Sequence, residues 1–196
     1  AAAKTGMLGG REQVHAVVET WKQLAHGRIP LVVDPVMVAT SGGRLLEDAA
    51  VCALIDELLP LATLITPNMD EARVLWDREV TSLADMEACA RELSARFGTA
   101  VLVKGGHLKG DAADVLCHND ALSWHTAPRT AGVHTHGTGC TFSASIATGL
   151  AHGLDLNMAV AQAKQFVSRA IAQHFAWQGS SAGIVHALNH LQQTGA

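Results

Sequence analysis

The sequence lacks the features that would attach a protein to a membrane or to nucleic acid. None of its apolar runs approaches the roughly 20 residues that a membrane-spanning helix needs. Its 14 Lys and Arg residues form no cluster, and the formal net charge is −4, so the sequence has no basic footprint for nucleic acid. These absences favour chemistry on a small molecule.

The cysteines are few and isolated from one another. They stand at positions 52, 89, 117 and 140, and no CxxC pair occurs. Without a recognisable signal peptide, this pattern predicts reduced thiols in the cytoplasm. The sequence also has no internal repeat, low-complexity tract or linker, so its 196 residues predict a single domain over residues 1–196.

Two common nucleotide-binding motifs are also missing. No GxxxxGK[ST] sequence occurs, which argues against a P-loop enzyme. Gly137-Thr138-Gly139 is not a dinucleotide fingerprint either, because Phe142 stands where GxGxxG requires its third glycine.

Strand and helix patterns alternate along most of the chain. Short apolar runs predict strands, and apolar residues at helical spacing predict helices. The predicted strands are 29–33, 64–66 and 100–103, and the predicted helices are 11–26, 48–59 and 82–97. A glycine-containing loop is predicted at 40–43. This alternation is typical of an α/β fold with a mostly parallel sheet between two helical layers.

The pattern changes in the second half. Residues 115–118 and 121–125, joined by Asn119-Asp120, predict an antiparallel hairpin at the sheet edge. The rest is predicted to be helical, over 141–152, 157–173 with Asn157 as the cap, and 183–193.

Polar residues follow several predicted strands. Asp34 follows 29–33, Asn68 and Glu71 follow 64–66, and Lys104 follows 100–103. The carboxyl ends of parallel strands share one edge of the sheet, where α/β proteins bind ligands. Two acids, an amide and a lysine would supply oxygen ligands for Mg²⁺ and positive charge for nucleotide phosphates.

The segment His136-Gly137-Thr138-Gly139-Cys140-Thr141 predicts an anion site. Glycines allow successive N–H groups to converge, and the helix that follows adds its unpaired amides and the positive end of its dipole. Cys140 lies in the first turn, where this field favours the thiolate. His134 and His136 are expected to line the approach to this loop. Together with the strand-end residues, this segment indicates phosphoryl transfer.

Four motifs occur along the sequence: Asp34-Pro35-Val36-Met37, Thr66-Pro67-Asn68 with Glu71, Val103-Lys104-Gly105-Gly106-His107, and His136-Gly137-Thr138-Gly139-Cys140-Thr141. In these motifs the sequence resembles the ribokinase superfamily and, within it, the hydroxymethylpyrimidine/phosphomethylpyrimidine kinases of thiamin biosynthesis. The resemblance implies a three-layer α/β/α ribokinase-like fold and two successive MgATP-dependent phosphorylations. The acceptors it implies are 4-amino-5-hydroxymethyl-2-methylpyrimidine and then its monophosphate.

The resemblance also implies residue roles. Cys140 would accept the substrate proton, while amides around Gly137, Thr138 and Gly139 hold the phosphoryl charge. Asp34 and Glu71 would organise Mg²⁺ with the help of Asn68. Lys104 and Lys164 would lie on the ATP side, and Val36 would line the pyrimidine. A homodimer is implied as well.

Two alternatives remain open. A pyridoxal or pyridoxine kinase of the same superfamily is compatible with Cys140. The family's opening segment is expected to be missing before Ala1, so a non-catalytic fragment or nucleotide-binding module is the other alternative.

Overall fold

The computed structural model describes residues 1–24, 27–37, 43, 45–106, 108, 110–133, 135–179 and 183–191. Residues 25–26 of the first predicted helix, residues 40–42 of the predicted loop, His107, His134 and Gln193 lie outside the described residues.

A six-stranded sheet forms the centre of the described structure. Its strands are β1 (Ala3–Thr5), β2 (Leu31–Val33), β3 (Leu64–Ile65), β4 (Ala100–Lys104), β5 (Ala112–His118) and β6 (Ala121–Ala127), in that spatial order. The first four strands are parallel, and β5 and β6 are antiparallel at one edge. The predicted mostly parallel sheet with an edge hairpin is therefore confirmed.

Helices cover both faces of this sheet. They are α1 (Arg11–Leu24), α2 (Asp48–Ala53), α3 (Met69–Trp76), α4 (Leu83–Phe97), α5 (Thr138–Ala151) and α6 (Leu156–Ala172). A π-helical stretch, Leu54–Leu58, and a 3₁₀ turn, Leu59–Leu61, extend α2. None of the helices in the described ranges is both long and apolar enough to cross a bilayer.

Successive side chains along a strand point to opposite faces of the sheet, so the buried strands contribute to two hydrophobic cores. In β2, Leu31 and Val33 face a core shared with α1 to α4, whereas Val32 faces a core shared with α5 and α6. The same alternation recurs in β4, where Val101 and Leu102 belong to opposite cores. Fully buried parallel strands need apolar residues on both faces, which explains their continuous apolar runs.

Helix α4 begins and ends close to the predicted bounds, 82 and 97, because capping residues stand at both ends. Ser82 and Asp85 form a reciprocal capping box at the start of α4, and Gly98 ends that helix in the left-handed region at φ 64°.

The turn between β5 and β6 places Asn119 and Asp120 at φ 50° and 60°. This geometry suits a short hairpin turn.

Two helix predictions were wrong. Asp155, not Asn157, caps α6, because its carboxylate accepts from the amide of Met158, while the Asn157 side chain accepts from the hydroxyl of Ser123. Residues 184–187 are not helical: strand β8 (Ile184–Ala187) pairs antiparallel with β7 (Phe175–Gln178). The β-branched pair Ile184-Val185 suits a strand, and pairing within a hairpin overrides the helical spacing.

Candidate active site

The carboxyl ends of β2, β3 and β4 meet at one edge of the sheet. The backbone continues the parallel pairing there, since Thr66 N donates to Val33 O at 3.0 Å and Lys104 N donates to Pro67 O at 2.8 Å. Asn68 and Lys104 form an isolated parallel bridge beyond the strands. The sequence-predicted neighbours Asp34, Asn68 and Lys104 therefore do share this edge.

Asp34 is the buried acceptor at the centre of the site. Lys104 Nζ donates to Asp34 Oδ1 at 2.8 Å, and Thr66 Oγ1 donates to the same oxygen at 3.1 Å. Ser143 Oγ lies 3.4 Å from Asp34 Oδ2. The ammonium group and the Thr66 hydroxyl thus hold an almost fully buried carboxylate in one orientation.

Glu71 is a second buried carboxylate beside the Asp34–Lys104 ion pair. It forms a capping box with Asn68 at the start of α3: Asn68 N donates to Glu71 Oε2 at 2.8 Å, and Glu71 N donates to Asn68 Oδ1 at 2.9 Å. Burial raises the pKa of Glu71 to about 7, although the charge of Lys104 opposes this rise. The N-x-x-E spacing seen in the sequence is thus a helix cap that also delivers a carboxylate to the site.

Lys104 carries the positive charge of this cluster. Burial disfavours its ammonium form, but the neighbouring carboxylates of Asp34 and Glu71 outweigh burial and raise the lysine pKa above its ordinary value. Lys104 therefore stays charged at neutral pH and is available to an anion.

The N-terminus of α5 reaches the same cluster. Gly137 takes φ 81° as the residue before the helix, and α5 begins at Thr138 rather than at the predicted residue 141. A Cβ added to Gly139 would lie 3.1 Å from Lys104 Nζ and 3.7 Å from Asp34 Oδ2. Glycine at this position thus lets the first turn of the helix approach the ion pair.

Cys140 lies in the first turn of α5 and is exposed. Ser143 Oγ lies 3.1 Å from the backbone carbonyl oxygen of Cys140 and 3.1 Å from that of Gly139, and can donate its single proton to only one acceptor at a time. The residue is therefore accessible to a small molecule. Val36 is half-buried, and its amide donates to Asp34 O at 2.8 Å.

Lys164, on helix α6, is connected to the Lys104–Gly105 segment through Asp114. Its Nζ donates to Asp114 Oδ2 at 2.6 Å, and Asp114 Oδ1 accepts from Gly105 N at 3.1 Å. A Cβ at Gly105 would collide with the carbonyl of Ala113 and with the Met86 side chain. The buried Lys164–Asp114 pair thus supports the backbone that directly follows Lys104.

Three residues that contribute contacts to this site were not predicted from the sequence. Ser143 sits one helical turn after Gly139, Asp114 lies inside the edge hairpin, and Arg129 binds the loop that follows Lys104. Of the three, only Asp114 could have been noticed in the sequence, because it is a charged residue next to an apolar run. An isolated serine or an arginine in a connecting segment gives no motif.

The residues present fit a divalent cation with a bound nucleotide. Two buried carboxylates, Asp34 and Glu71, lie beside one ammonium group, so the cluster carries an excess of negative charge when both are ionised. Carboxylate oxygens are the ligands that Mg²⁺ prefers, and the amides of a helix N-terminus bind phosphate.

Comparison with known proteins agrees with this geometry. The family model described as phosphomethylpyrimidine kinase matches residues 1–186. The hydroxymethylpyrimidine/phosphomethylpyrimidine kinase of Streptomyces coelicolor is 41% identical over 94% of this chain and 68% of its own length. The enzyme of the same name from Rhizobium meliloti is 46% identical over 87% of this chain and 64% of its own length. The chain thus spans about two thirds of these relatives.

A solved structure shares the fold as well. The ADP complex of Bacillus subtilis pyridoxal kinase superposes with a TM-score of 0.84 and 34% identity, covering 96% of this chain and 70% of that protein. The sequence resemblance, the ribokinase-like architecture and the family match agree. The chain therefore belongs to the phosphomethylpyrimidine kinase family.

Proposed function

We propose that this chain uses MgATP to phosphorylate 4-amino-5-hydroxymethyl-2-methylpyrimidine and then its monophosphate, in thiamine biosynthesis. The observation that carries this proposal is the approach of Gly139, in the first turn of α5, to the Lys104–Asp34 ion pair. Family membership and the names of the two relatives support the choice of acceptor.

The nucleotide is proposed to lie between Lys104 and the N-terminus of α5. Lys104 would bind its phosphates, the amides of Thr138 and Gly139 would bind the transferring group, and Asn68 would contribute from the start of α3. Lys164 is assigned to the nucleotide side, where its pairing with Asp114 supports the backbone at Gly105.

Asp34 and Glu71 are the proposed ligands for Mg²⁺. A bound Mg²⁺ neutralises negative charge on the phosphates of ATP. Only the ionised form of Glu71 can bind a cation. A cation bound beside Glu71 would lower its pKa from about 7 and so favour loss of the proton.

In the first phosphorylation, Cys140 accepts the proton of the hydroxymethyl group while the amides of Gly137, Thr138 and Gly139 stabilise the transferring phosphoryl group. Val36 and Cys140 line the pyrimidine. The second acceptor is already a phosphate anion and needs little help from a base. Positioning and electrostatics therefore account for most of the second step.

Product analysis by phosphorus NMR tests this function. The chain is incubated with MgATP and hydroxymethylpyrimidine, and the expected signals are a monophosphate ester that converts to a diphosphate ester. ATP hydrolysis without either ester would contradict the proposed transfer.

A pyridoxal kinase is the second candidate, favoured by the similarity to the Bacillus subtilis enzyme. Competition between hydroxymethylpyrimidine and pyridoxal for MgATP, with the phosphorylated products distinguished by phosphorus NMR, separates the two. We expect the pyrimidine to be consumed first, and preferential consumption of pyridoxal would reverse the assignment.

Two further expectations from the family resemblance remain proposals. One is assembly as a homodimer, and the other is a cytoplasmic location. Sedimentation of the purified chain tests the first, and fractionation of the source cells tests the second.

A further inference from the structure

Arg129 makes an unusual set of contacts for an exposed arginine. Its Nε donates to Gly110 O at 3.0 Å, one terminal nitrogen donates to Gly106 O at 2.5 Å, and the other donates to Leu108 O at 2.7 Å. Three N–H groups of one guanidinium therefore bind three carbonyls from alternate residues of a single loop. The carbonyls of Gly106, Leu108 and Gly110 thus converge on the cation.

The loop from Gly106 to Gly110 directly follows Lys104 and Gly105. Its beginning is fixed, because Gly105 N donates to Ala113 O at 3.0 Å, and Leu108 N donates back to Gly105 O at 3.1 Å. The Leu108 side chain packs against the core on the α1–α4 face. Gly110 takes φ 92°, which glycine adopts without strain. The guanidinium of Arg129 binds the carbonyls of Gly106, Leu108 and Gly110.

The chain position of Arg129 adds a second connection. It stands just after β6, in the segment that leads from Ala127 to Gly137 at the start of α5. Its side chain thus ties the segment before the anion-binding helix to the loop after Lys104. These are the two parts of the site that meet at Gly139 and Lys104 Nζ.

We propose that Arg129 is a positioning residue that fixes the backbone at Gly106, Leu108 and Gly110 and thereby holds Lys104 in register with the N-terminus of α5. This inference rests on the proposed nucleotide-binding role of Lys104. A guanidinium suits the task because its donors form a rigid planar fork, whereas a lysine ammonium is a single point on a flexible stem.

The test compares Arg129→Met and Arg129→Lys with the unmodified chain. Arg129→Met keeps much of the aliphatic stem and removes every donor, and Arg129→Lys keeps the charge but loses the fork. Arg91→Ala is the matched control, because exposed Arg91 also donates to a backbone carbonyl, Asp120 O at 2.7 Å, at the opposite end of the β5–β6 hairpin.

Three readouts are measured on each variant: hydrogen exchange of peptides covering residues 104–111, the Kd for MgADP by calorimetry, and the separate KM values for ATP and pyrimidine. We expect Arg129→Met to speed exchange in this loop and to raise the Kd for MgADP and the KM for ATP about tenfold. The KM for the pyrimidine should change less than about twofold. Arg129→Lys should recover part of the loss, and Arg91→Ala should match the unmodified chain.

Unchanged exchange and an unchanged Kd in folded Arg129→Met would overturn the proposal. Equal rises in both KM values would also overturn it, because they would indicate a general loss of structure. Should Arg129→Met fail to fold, Arg129→Lys decides by the same criteria. An unmodified chain that binds no MgADP would contradict the proposed function itself, while the exchange readout still decides whether Arg129 holds the loop.

Discussion

Glu71 is almost completely buried beside a second carboxylate, and this placement makes the stability of the chain depend on pH. Its pKa rises from an ordinary 4.5 to about 7 in the folded chain. Between these values the folded chain keeps a proton that the unfolded chain has lost, so stability falls as the pH rises through this window. The loss amounts at most to about 3 to 4 kcal/mol, at roughly 1.4 kcal/mol for each unit of pKa shift.

Glu71→Gln should remove this part of the pH dependence. Glutamine still accepts the amide of Asn68 but has no proton to lose. Urea unfolding at several pH values between 4.5 and 7.5, without divalent cations, measures the slope. Glu79→Gln, at an exposed glutamate, is the control, and a Glu71→Gln variant with the full original slope would refute the assignment.

Cys140 is exposed in the first turn of α5, where the proposed base must lie. We expect Cys140→Ala to slow the first phosphorylation about 100-fold, since general-base catalysis contributes a factor of that order, and the second less than about fivefold. Single-step assays with the free pyrimidine and with its monophosphate measure the two effects. Cys52→Ala, at an exposed cysteine on α2, is the control. Equal losses in both steps would contradict the division of labour.

Lys164 and Asp114 form a buried pair whose role can be separated from nucleotide contact. Lys164→Met leaves the Asp114 carboxylate buried without its partner, which should lower the free energy of unfolding by about 3 kcal/mol. Adding Asp114→Asn should recover much of this loss, because asparagine can still accept from Gly105 N. Urea unfolding of the single and double variants measures it, and a stable Lys164→Met chain would show that the pair does not support the fold.

At the scale of elements, helix α5 is the part of the fold that carries the site. Its first turn must come close to β2 and β4, and Gly139 makes this approach possible. Gly139→Ala should raise the KM for ATP about tenfold, because its methyl group would displace Lys104 Nζ. Alanine favours helix, so the melting temperature should hold or rise.

Kinetics and thermal unfolding of Gly139→Ala are measured together. Ala144→Gly, at an exposed position of the same helix, is the control, and it should lower stability without changing the KM for ATP. A Gly139→Ala chain with normal ATP kinetics would mean that the helix N-terminus does not meet the nucleotide beside Lys104.

At the scale of the whole molecule, the parallel sheet was predictable because its buried strands are apolar on both faces and end at Asp34, Thr66 and Lys104. The shared edge of these residues followed from topology alone. Ser143 and Arg129 were not predictable, because their roles depend on how α5 and the connecting segment return to the sheet. The final hairpin was missed for a related reason, since the strand Ile184–Ala187 is defined by its partner rather than by its own spacing.

We propose that Lys104, Asp34 and the N-terminus of α5 form one phosphoryl-transfer site. The most direct test is coupled-assay turnover of MgATP with hydroxymethylpyrimidine, by this chain, by the chain extended along any upstream reading frame, and by a Lys104→Met variant of each. The account predicts turnover in at least one unmodified chain and a loss of about 100-fold or more with Lys104→Met. Folded chains that show no turnover, or turnover that survives Lys104→Met unchanged, would contradict it.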